Sequence, residues 1–104
     1  MHRIELVFGM SRQGQPDISE AGWRKFLDAE ITPRLPDGLT VLEGQGQWRN
    51  SAGEIVKEPS RLLLVWAKPQ SDLTQRIEAI RSAWKQAQGQ ESVLKAESYD
   101  CVSF

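Results

Sequence analysis

The pattern of apolar and polar residues along this chain, in places alternating and in places an unbroken apolar run, predicts four strands. Ile4, Leu6 and Phe8 alternate with mixed residues as far as Gly9, which is the pattern of a strand with one buried face. Three later segments between turn-forming residues are also predicted as strands, although the second of these segments contains a run that does not alternate. The four predicted strands are 4–8, 39–49, 54–67 and 92–98.

Two other stretches repeat apolar residues at helical spacing, which predicts two helices. Ser19 can cap the first helix, and Pro33 ends it because proline cannot continue the backbone hydrogen bonds. The second helix opens after Asp72 and stops at Gly89. The predicted core stripes are Trp23, Phe26, Leu27 and Ile31 in the first helix and Leu73, Ile77, Ile80 and Trp84 in the second.

The predicted elements follow the order β-α-β-β-α-β, which is that of the split βαβ, or ferredoxin-like, motif. Right-handed crossovers place the first and third strands at the centre of the sheet and both helices on one side of it. We therefore predict one ferredoxin-like α+β domain over residues 1–104, with a four-stranded antiparallel sheet and two helices on one face.

The run Leu62–Trp66, Leu-Leu-Leu-Val-Trp, does not alternate at all. A central strand with one face in water should show polar residues at alternate positions, so an unbroken apolar run is typical of a strand buried on both faces. We therefore expect the sheet face opposite the helices to be covered. The two candidate covers are a second copy of the chain and a ligand-filled cavity.

Composition excludes several classes of partner. Thirteen basic and fourteen acidic side chains leave a formal net charge of −1, so no strong field attracts a polyanion. Glu5 and Val7 also stand where an RNA-binding domain of this topology carries aromatic residues, and we expect no nucleic acid partner. The longest apolar run, Leu62–Ala67, is far shorter than the roughly 20 residues of a membrane helix, so we expect no membrane insertion.

The chain contains one cysteine, Cys101, and one histidine, His2. This inventory excludes an internal disulfide and a zinc site built on cysteines. We expect Cys101 to be a small buried residue near a strand end and His2 to lie at a frayed terminus. With no ligand set for a metal or a haem, we expect no cofactor.

The segment Glu43–Arg49, Glu-Gly-Gln-Gly-Gln-Trp-Arg, departs most from an ordinary strand. Its two glycines have neither the G-x-G-x-x-G spacing nor a following helix, so they do not form a phosphate loop. We expect Gly44 and Gly46 to face the helices, where a tryptophan can pack closely on the sheet. Trp48 then either closes the core or stacks on a partner.

Several short motifs spread along the chain carry a family resemblance. They are Phe8-Gly9-Met10-Ser11, Ser19-Glu20-Ala21, Thr32-Pro33-Arg34, Pro36-Asp37-Gly38-Leu39-Thr40-Val41, Gly44-Gln45-Gly46-Gln47-Trp48, Gly89-Gln90-Glu91-Ser92-Val93-Leu94 and Cys101-Val102-Ser103-Phe104. With these motifs nearly the whole chain resembles the bacterial DUF3574 proteins, a family of unknown function. The resemblance implies no activity, cofactor or catalytic residue. Many members carry an N-terminal signal or lipoprotein segment, so we expect a cytoplasmic protein as the sequence stands and a periplasmic one if a leader has been removed.

The predicted strand faces place one polar cluster opposite the helices. Glu5 lies there in the first strand, and Lys95 and Glu97 join it from the fourth. The members from the second strand are Glu43, Gln45 and Gln47. These groups could orient a small polar ligand in an apolar cavity. Alternatively, Glu5 pairs with Lys95 across strands, and the glutamines face water on an edge strand and limit aggregation.

Two functions fit this pattern. In the first, the chain is a non-catalytic domain that forms a homodimer through its sheet face and binds a partner or small molecule, with Trp48, Arg49 and Arg61 near that site. In the second, it is a metal-free enzyme of the dimeric α+β barrel kind acting on a small organic substrate. Glu5 and Glu43 would be its acid/base groups, and Arg49 or Arg61 would stabilise negative charge. Only fold analogy supports the enzyme, so catalysis is left open.

Overall fold

The computed structural model describes residues 1–104 and contains the four strands and two helices in the predicted order. The strands are β1 (His2–Gly9), β2 (Thr40–Arg49), β3 (Ile55–Ala67) and β4 (Leu94–Tyr99), and the helices are α1 (Glu20–Phe26) and α2 (Leu73–Gln88). A π-helical turn over Leu27–Ile31 and a 3-10 turn over Thr32–Arg34 extend α1. The predicted first helix is therefore confirmed as a helical segment whose last two turns have a different winding.

The sheet is antiparallel throughout, with the strand order β2-β3-β1-β4. β1 and β3 occupy the centre, as the right-handed crossovers require. The α+β fold and the four-stranded antiparallel sheet are thus confirmed, and the strand order agrees with a ferredoxin-like arrangement.

The helix ends are formed by the residues that the sequence indicated. The Ser19 hydroxyl accepts a hydrogen bond from the Gly22 amide at 3.0 Å, which satisfies one of the free donors at the start of α1. Gly89 ends α2 with a φ of 65°, a left-handed conformation that glycine adopts without steric cost.

The core lies between the sheet and the helices, on what we call the helix face. Ile4, Leu6 and Phe8 of β1 are at most 2% exposed there. Trp84 of α2 packs on this layer, with its ring centroid 5.1 Å from that of Phe8. Its indole Nε1 donates to the Gln90 side chain at 2.9 Å, so the buried polar edge has a partner. The remaining core residues are Met10, Ile18, Trp23, Phe26, Ile31, Leu35, Leu63, Val65, Ala67, Leu73, Ile77, Ile80 and Val93.

The β2–β3 hairpin extends beyond the rest of the sheet. β1 pairs with β3 only over residues 60–67, whereas residues 45–49 and 55–59 pair only with each other. We call this two-stranded extension, residues 45–59, the ribbon. Its turn is closed by the Asn50 side chain, which accepts hydrogen bonds from the Ala52 and Glu54 amides.

Neither helix is long and apolar enough to cross a membrane.

Candidate functional site

The sheet surface turned away from the helices, which we call the open face, carries a cluster of apolar side chains. The cluster consists of Val7, Leu42, Leu62, Leu64, Trp66 and Leu94. The helices do not lie on this side, and Leu42, Trp66 and Leu94 are 49%, 43% and 59% exposed. The non-alternating run in β3 is thus half inside and half outside the core of one chain. Its cover by a second copy or a ligand stays a prediction.

The predicted orientation of β2 is wrong. Val41 pairs with the core residue Leu63, and Glu43 pairs with Arg61, so Glu43, Gln45 and Gln47 share the helix face. Gly44 and Gly46 lie instead on the open face and do not receive a helix side chain. Each of the two sides of this strand has an apolar residue near the start of the strand, so the pattern of β2 alone does not show which side is buried. The register with β3 decides which side faces the helices. All five residues lie on the side opposite to the predicted one: Glu43, Gln45 and Gln47, and Gly44 and Gly46.

The predicted placement of Lys95 and Glu97 on the open face is also wrong. Their β1 partners are Leu6 and Ile4, which point into the core. The Lys95 Nζ lies 2.8 Å from a Glu78 oxygen, and this hydrogen bond is the main cause that lowers the pKa of Glu78. These two charges therefore connect β4 to α2.

The prediction that His2 lies at a frayed terminus is wrong. It is 7% exposed, and its Nε2 lies 2.7 Å from Glu97 Oε2. The hydrogen bond from His2 is the main cause that lowers the pKa of Glu97. The Tyr99 ring stacks on the His2 ring at a centroid distance of 4.7 Å. His2 thus fastens the start of β1 to the end of β4.

Arg61 and Arg49, the two candidate cationic groups, occupy very different surroundings. The Arg61 side chain is 12% exposed, and its guanidinium lies 2.6 Å from Glu20 and 3.7 Å from Glu43. The hydrogen bond from Arg61 is the main cause that lowers the pKa of Glu20. Arg49 is exposed in the ribbon and makes no ion pair. The structure does not bring these two cations together.

Glu5 is the one candidate carboxylate whose predicted face is confirmed. It stands on the open face opposite Leu64 and forms an ion pair with Arg3. Glu43 lies on the other side of the sheet with its side chain 76% exposed. Glu5 and Glu43 therefore share no pocket, and an acid/base pair of these two groups has no geometric support.

A charged cluster that the sequence did not suggest lies at one end of the open face. The Arg3 guanidinium carbon stands 6.0 Å from the Trp66 ring, within cation–π range. Asp100 Oδ2 lies 3.4 Å from Trp66 Nε1 and 3.7 Å from Arg3 Nε. The three residues come from β1, β3 and the segment after β4, so no local motif could have indicated the cluster.

A wide cleft opens between Trp66 and the C-terminal tail, residues 100–104. Its volume is about 420 Å³, and besides Trp66 only tail residues line it. Cys101 is exposed there, so its predicted burial is wrong. Phe104 is fully exposed at the other end of the lining. The cleft thus combines two accessible aromatic rings with the Asp100 carboxylate.

The seven residues that the sequence singled out do not converge on one site. Glu43, Gln45, Gln47 and Arg61 belong to the helix face of β2 and β3, Glu5 lies on the open face, and Trp48 and Arg49 lie in the ribbon. Trp48 is 53% exposed and does not close the core. No three His, Cys, Asp or Glu side chains lie close enough together to hold a metal ion.

The sequence matches the model of the DUF3574 family, described as a protein of unknown function, over residues 3–104. This match confirms the family that the motifs indicated, and it runs from β1 to the end of the tail. None of the curated proteins matches this sequence.

Two solved structures are similar in fold. A phage SAM lyase in complex with S-methyl-5'-thioadenosine has 15% sequence identity and a TM-score of 0.70, over 93% of this chain and 79% of that chain. A phage SAM lyase in the apo state has 15% identity and a TM-score of 0.68, over 93% of this chain and 78% of that chain. At this level of identity the likeness shows the fold alone.

Proposed function

This chain belongs to the DUF3574 family, and we propose that it acts as a homodimeric binding module in which two open faces pack against each other. The observation that carries the proposal is the uncovered apolar cluster of the open face. Three of its six side chains are 43% exposed or more in a single chain. Scattered exposed apolar residues are ordinary, whereas a contiguous cluster spanning all four strands is typical of an interaction surface.

The charges of the open face favour a second copy as the partner. In a two-fold dimer the same patch occurs on both sides, so any unbalanced charge on it meets its own sign. Arg3 and Glu5 neutralise each other within one chain. The Glu58 carboxylate turns back and accepts a hydrogen bond from the Ser11 amide at 3.1 Å. In the middle of the open face a copy of the same patch therefore meets mainly apolar side chains, with the carboxylates of Glu58 and Asp100 at opposite ends of it.

A lysine placed in the apolar cluster tests the dimer. In Leu42→Lys, each copy loses an apolar contact of about 1 kcal/mol and brings a charge that must be desolvated, and the two-fold axis doubles the effect. We expect the dissociation constant to rise at least about 100-fold. Leu42 is 49% exposed in one chain, so the fold itself should tolerate the change.

The matched control is Gln45→Lys, which adds the same charge on the opposite side of the same strand. Light scattering on a size-exclusion column measures the mass of each variant. We expect wild type and Gln45→Lys at twice the chain mass of 11.8 kDa, and Leu42→Lys at the chain mass. A wild type that stays at the mass of one chain at high micromolar concentration would show that the dimer proposal is wrong.

A second candidate function is the binding of a small aromatic molecule in the cleft beside Trp66. A metal-free enzyme that acts on a small organic substrate would require such a site. Trp66 and Phe104 offer stacking surfaces, and Asp100 offers a hydrogen-bond acceptor. The similar fold of a phage SAM lyase solved with S-methyl-5'-thioadenosine supports a nucleoside of this class as the probe. Base stacking on one aromatic ring contributes about 1–3 kcal/mol.

Calorimetric titration with S-methyl-5'-thioadenosine and with S-adenosylmethionine tests this second candidate. We expect binding by the wild type and loss of binding in Trp66→Ala. Trp48→Ala removes an indole outside the cleft that is 53% exposed, against 43% for Trp66, and should bind normally. If neither compound binds to the wild type, the nucleoside proposal is wrong and the dimer proposal is unaffected.

A further inference from the structure

We propose that the ribbon packs against the second copy of the chain in the dimer, and that Trp48 is the central contact residue, or anchor, of this packing. The inference rests on the proposed dimer and assigns a role to the part of the hairpin that the core does not use. Trp48 lies near the tip of the ribbon and is 53% exposed.

The ribbon lacks support within a single chain. Its two strands pair with each other and with no other strand. The contacts of Met10 N with Pro59 O at 2.9 Å and of the Ser11 amide with Glu58 attach only its base, next to the four-stranded part. An isolated two-stranded hairpin is marginally stable in water and gains stability when a third layer packs on it. A hairpin that carries an exposed tryptophan has an apolar side chain for such a layer to cover.

Strand parity puts Trp48 on the same surface as the apolar cluster. Leu42 pairs with Leu62 on the open face, and Trp48 follows six residues later in the same strand, opposite Val56. Side chains alternate strictly along a strand, so Leu42 and Trp48 point to the same side. The twist of the hairpin modifies this direction without changing the surface to which both belong.

No bulky or charged side chain of β2 separates the two apolar regions. The positions between Leu42 and Trp48 on the open side are Gly44 and Gly46. Across from them stand Ser60 and Glu58, and the Glu58 carboxylate is turned towards Gly9 and the Ser11 amide. A partner that covers the apolar cluster can therefore continue along the ribbon as far as Trp48.

The available area also favours participation of the ribbon. Eight residues each of β1 and β3, six of β4 and five of β2, on strands about 4.8 Å apart, offer on the order of 400 Å² on the open face. A stable interface typically buries roughly 800 Å² on each partner, so the sheet face alone is small. Five residues on each strand of the ribbon add on the order of 170 Å², and an exposed indole adds further contact. The combined surface approaches the usual size of a stable interface.

The ribbon contains a matched control for Trp48. Ile55 is 55% exposed and lies one residue from Val56, so its side chain points to the opposite side of the ribbon. Both residues are apolar, both are half-exposed, and both lie outside the core. Only Trp48 shares a surface with the apolar cluster.

Sedimentation equilibrium of the full chain gives the dimer dissociation constant for wild type, Trp48→Ala and Ile55→Ala. Truncation of a tryptophan that is buried at the centre of an interface typically raises the dissociation constant by a factor of about 30 or more. We expect Trp48→Ala to raise the dissociation constant at least about 30-fold and Ile55→Ala to change it less than about threefold. Circular dichroism of both variants should match the wild type, because neither side chain belongs to the core.

The outcomes separate this inference from the proposed dimer. A wild-type dimer that Trp48→Ala leaves intact would overturn the role of the ribbon and keep the packing of the open faces. Equal losses in Trp48→Ala and Ile55→Ala would also overturn it, because the contact would not depend on the face. A monomeric wild type would overturn both proposals and leave the exposed ribbon to a different protein partner.

Discussion

The helix face and the open face of the same central strand carry similar side chains in different surroundings. In β3, Leu63 is 0% exposed under the helices, whereas Leu64 next to it remains partly exposed and Trp66 is 43% exposed. The sequence of the strand does not distinguish these positions, since all are large and apolar. The difference arises because both helices follow right-handed crossovers onto one side. An apolar run thus shows that both faces gain from burial, but the topology decides which face one chain can cover.

Truncating a tryptophan on each face should give the largest contrast. Trp84→Ala opens a cavity in the core and removes contacts to Phe8 and Phe26, so we expect a loss of about 3–5 kcal/mol in the free energy of unfolding. Trp66→Ala should cost the monomer only about 1–2 kcal/mol, because 43% of this residue is in water. Urea denaturation followed by circular dichroism in dilute solution measures both changes. Equal losses would show that the two faces are not different in a single chain.

A smaller contrast is expected from two neighbouring leucines. Leu63→Ala should cost about 2–5 kcal/mol at any protein concentration, because the helices cover this side chain. Leu64→Ala should cost about 1 kcal/mol in dilute solution and more at concentrations where dimers form, since binding stabilises the folded state by mass action. Urea denaturation at several protein concentrations checks this pattern. A cost of Leu64→Ala that does not depend on concentration would argue against a dimer through the open face.

The polar edge of the core provides a third test. Gln90 accepts the indole hydrogen of Trp84 and donates to the carbonyl oxygens of Gly9 and Ser11 at 2.7 and 3.1 Å. Gln90→Ala leaves these groups without partners, so we expect a loss of about 1–3 kcal/mol in the free energy of unfolding. The control Gln86→Ala removes an exposed glutamine of α2 and should change stability by less than about 0.5 kcal/mol. Chemical denaturation distinguishes the two, and equal effects would remove the role assigned to Gln90.

The smallest effect concerns the pH dependence of stability on the helix face. The pKa of Glu78 is lowered from 4.5 in the folded protein, chiefly by the hydrogen bond from Lys95. The folded protein therefore binds the Glu78 proton less tightly than the unfolded chain does. The resulting stabilisation is present above pH 4.5 and disappears as the pH falls through the lowered value. Because the Glu78 side chain is 43% exposed, this pair should contribute only a few tenths of a kcal/mol to about 1 kcal/mol.

Lys95→Met therefore should reduce the loss of stability between pH 6 and pH 3 by a few tenths of a kcal/mol. Lys25→Met, which removes an exposed lysine without an ion pair, serves as the control. Urea midpoints at the two pH values give the comparison. An unchanged pH dependence in Lys95→Met would show that this ion pair does not stabilise the fold.

Much of the fold could be read from local patterns. Ser19 and Gly89 mark helix ends through their own backbone chemistry, and the spacing of Trp84 and its neighbours marks the buried side of α2. The strand order followed from crossovers whose handedness is nearly invariant. These features depend on neighbours in the sequence or on general topology, so no knowledge of distant contacts was needed.

The candidate site could be predicted only in part. Glu5 was placed on the correct face because β1 has one clear apolar parity, with Ile4 and Leu6 buried. Glu43 and Lys95 were placed on the wrong face because their strands contain apolar residues on both parities. The cluster of Arg3, Trp66 and Asp100 went unrecognised, since its members are far apart in the sequence.

By itself, the sequence determined the element order, the helix ends, the core of β1 and α2, and the family, because each depends on local periodicity, capping or motif. Only the tertiary structure decided which side of β2 faces the helices, where the tail lies beside Trp66, and how far the ribbon extends beyond the core. These features depend on pairing register, and a shift of one residue moves every side chain to the other face. Apolar residues on both parities leave that register open until β2 pairs with β3.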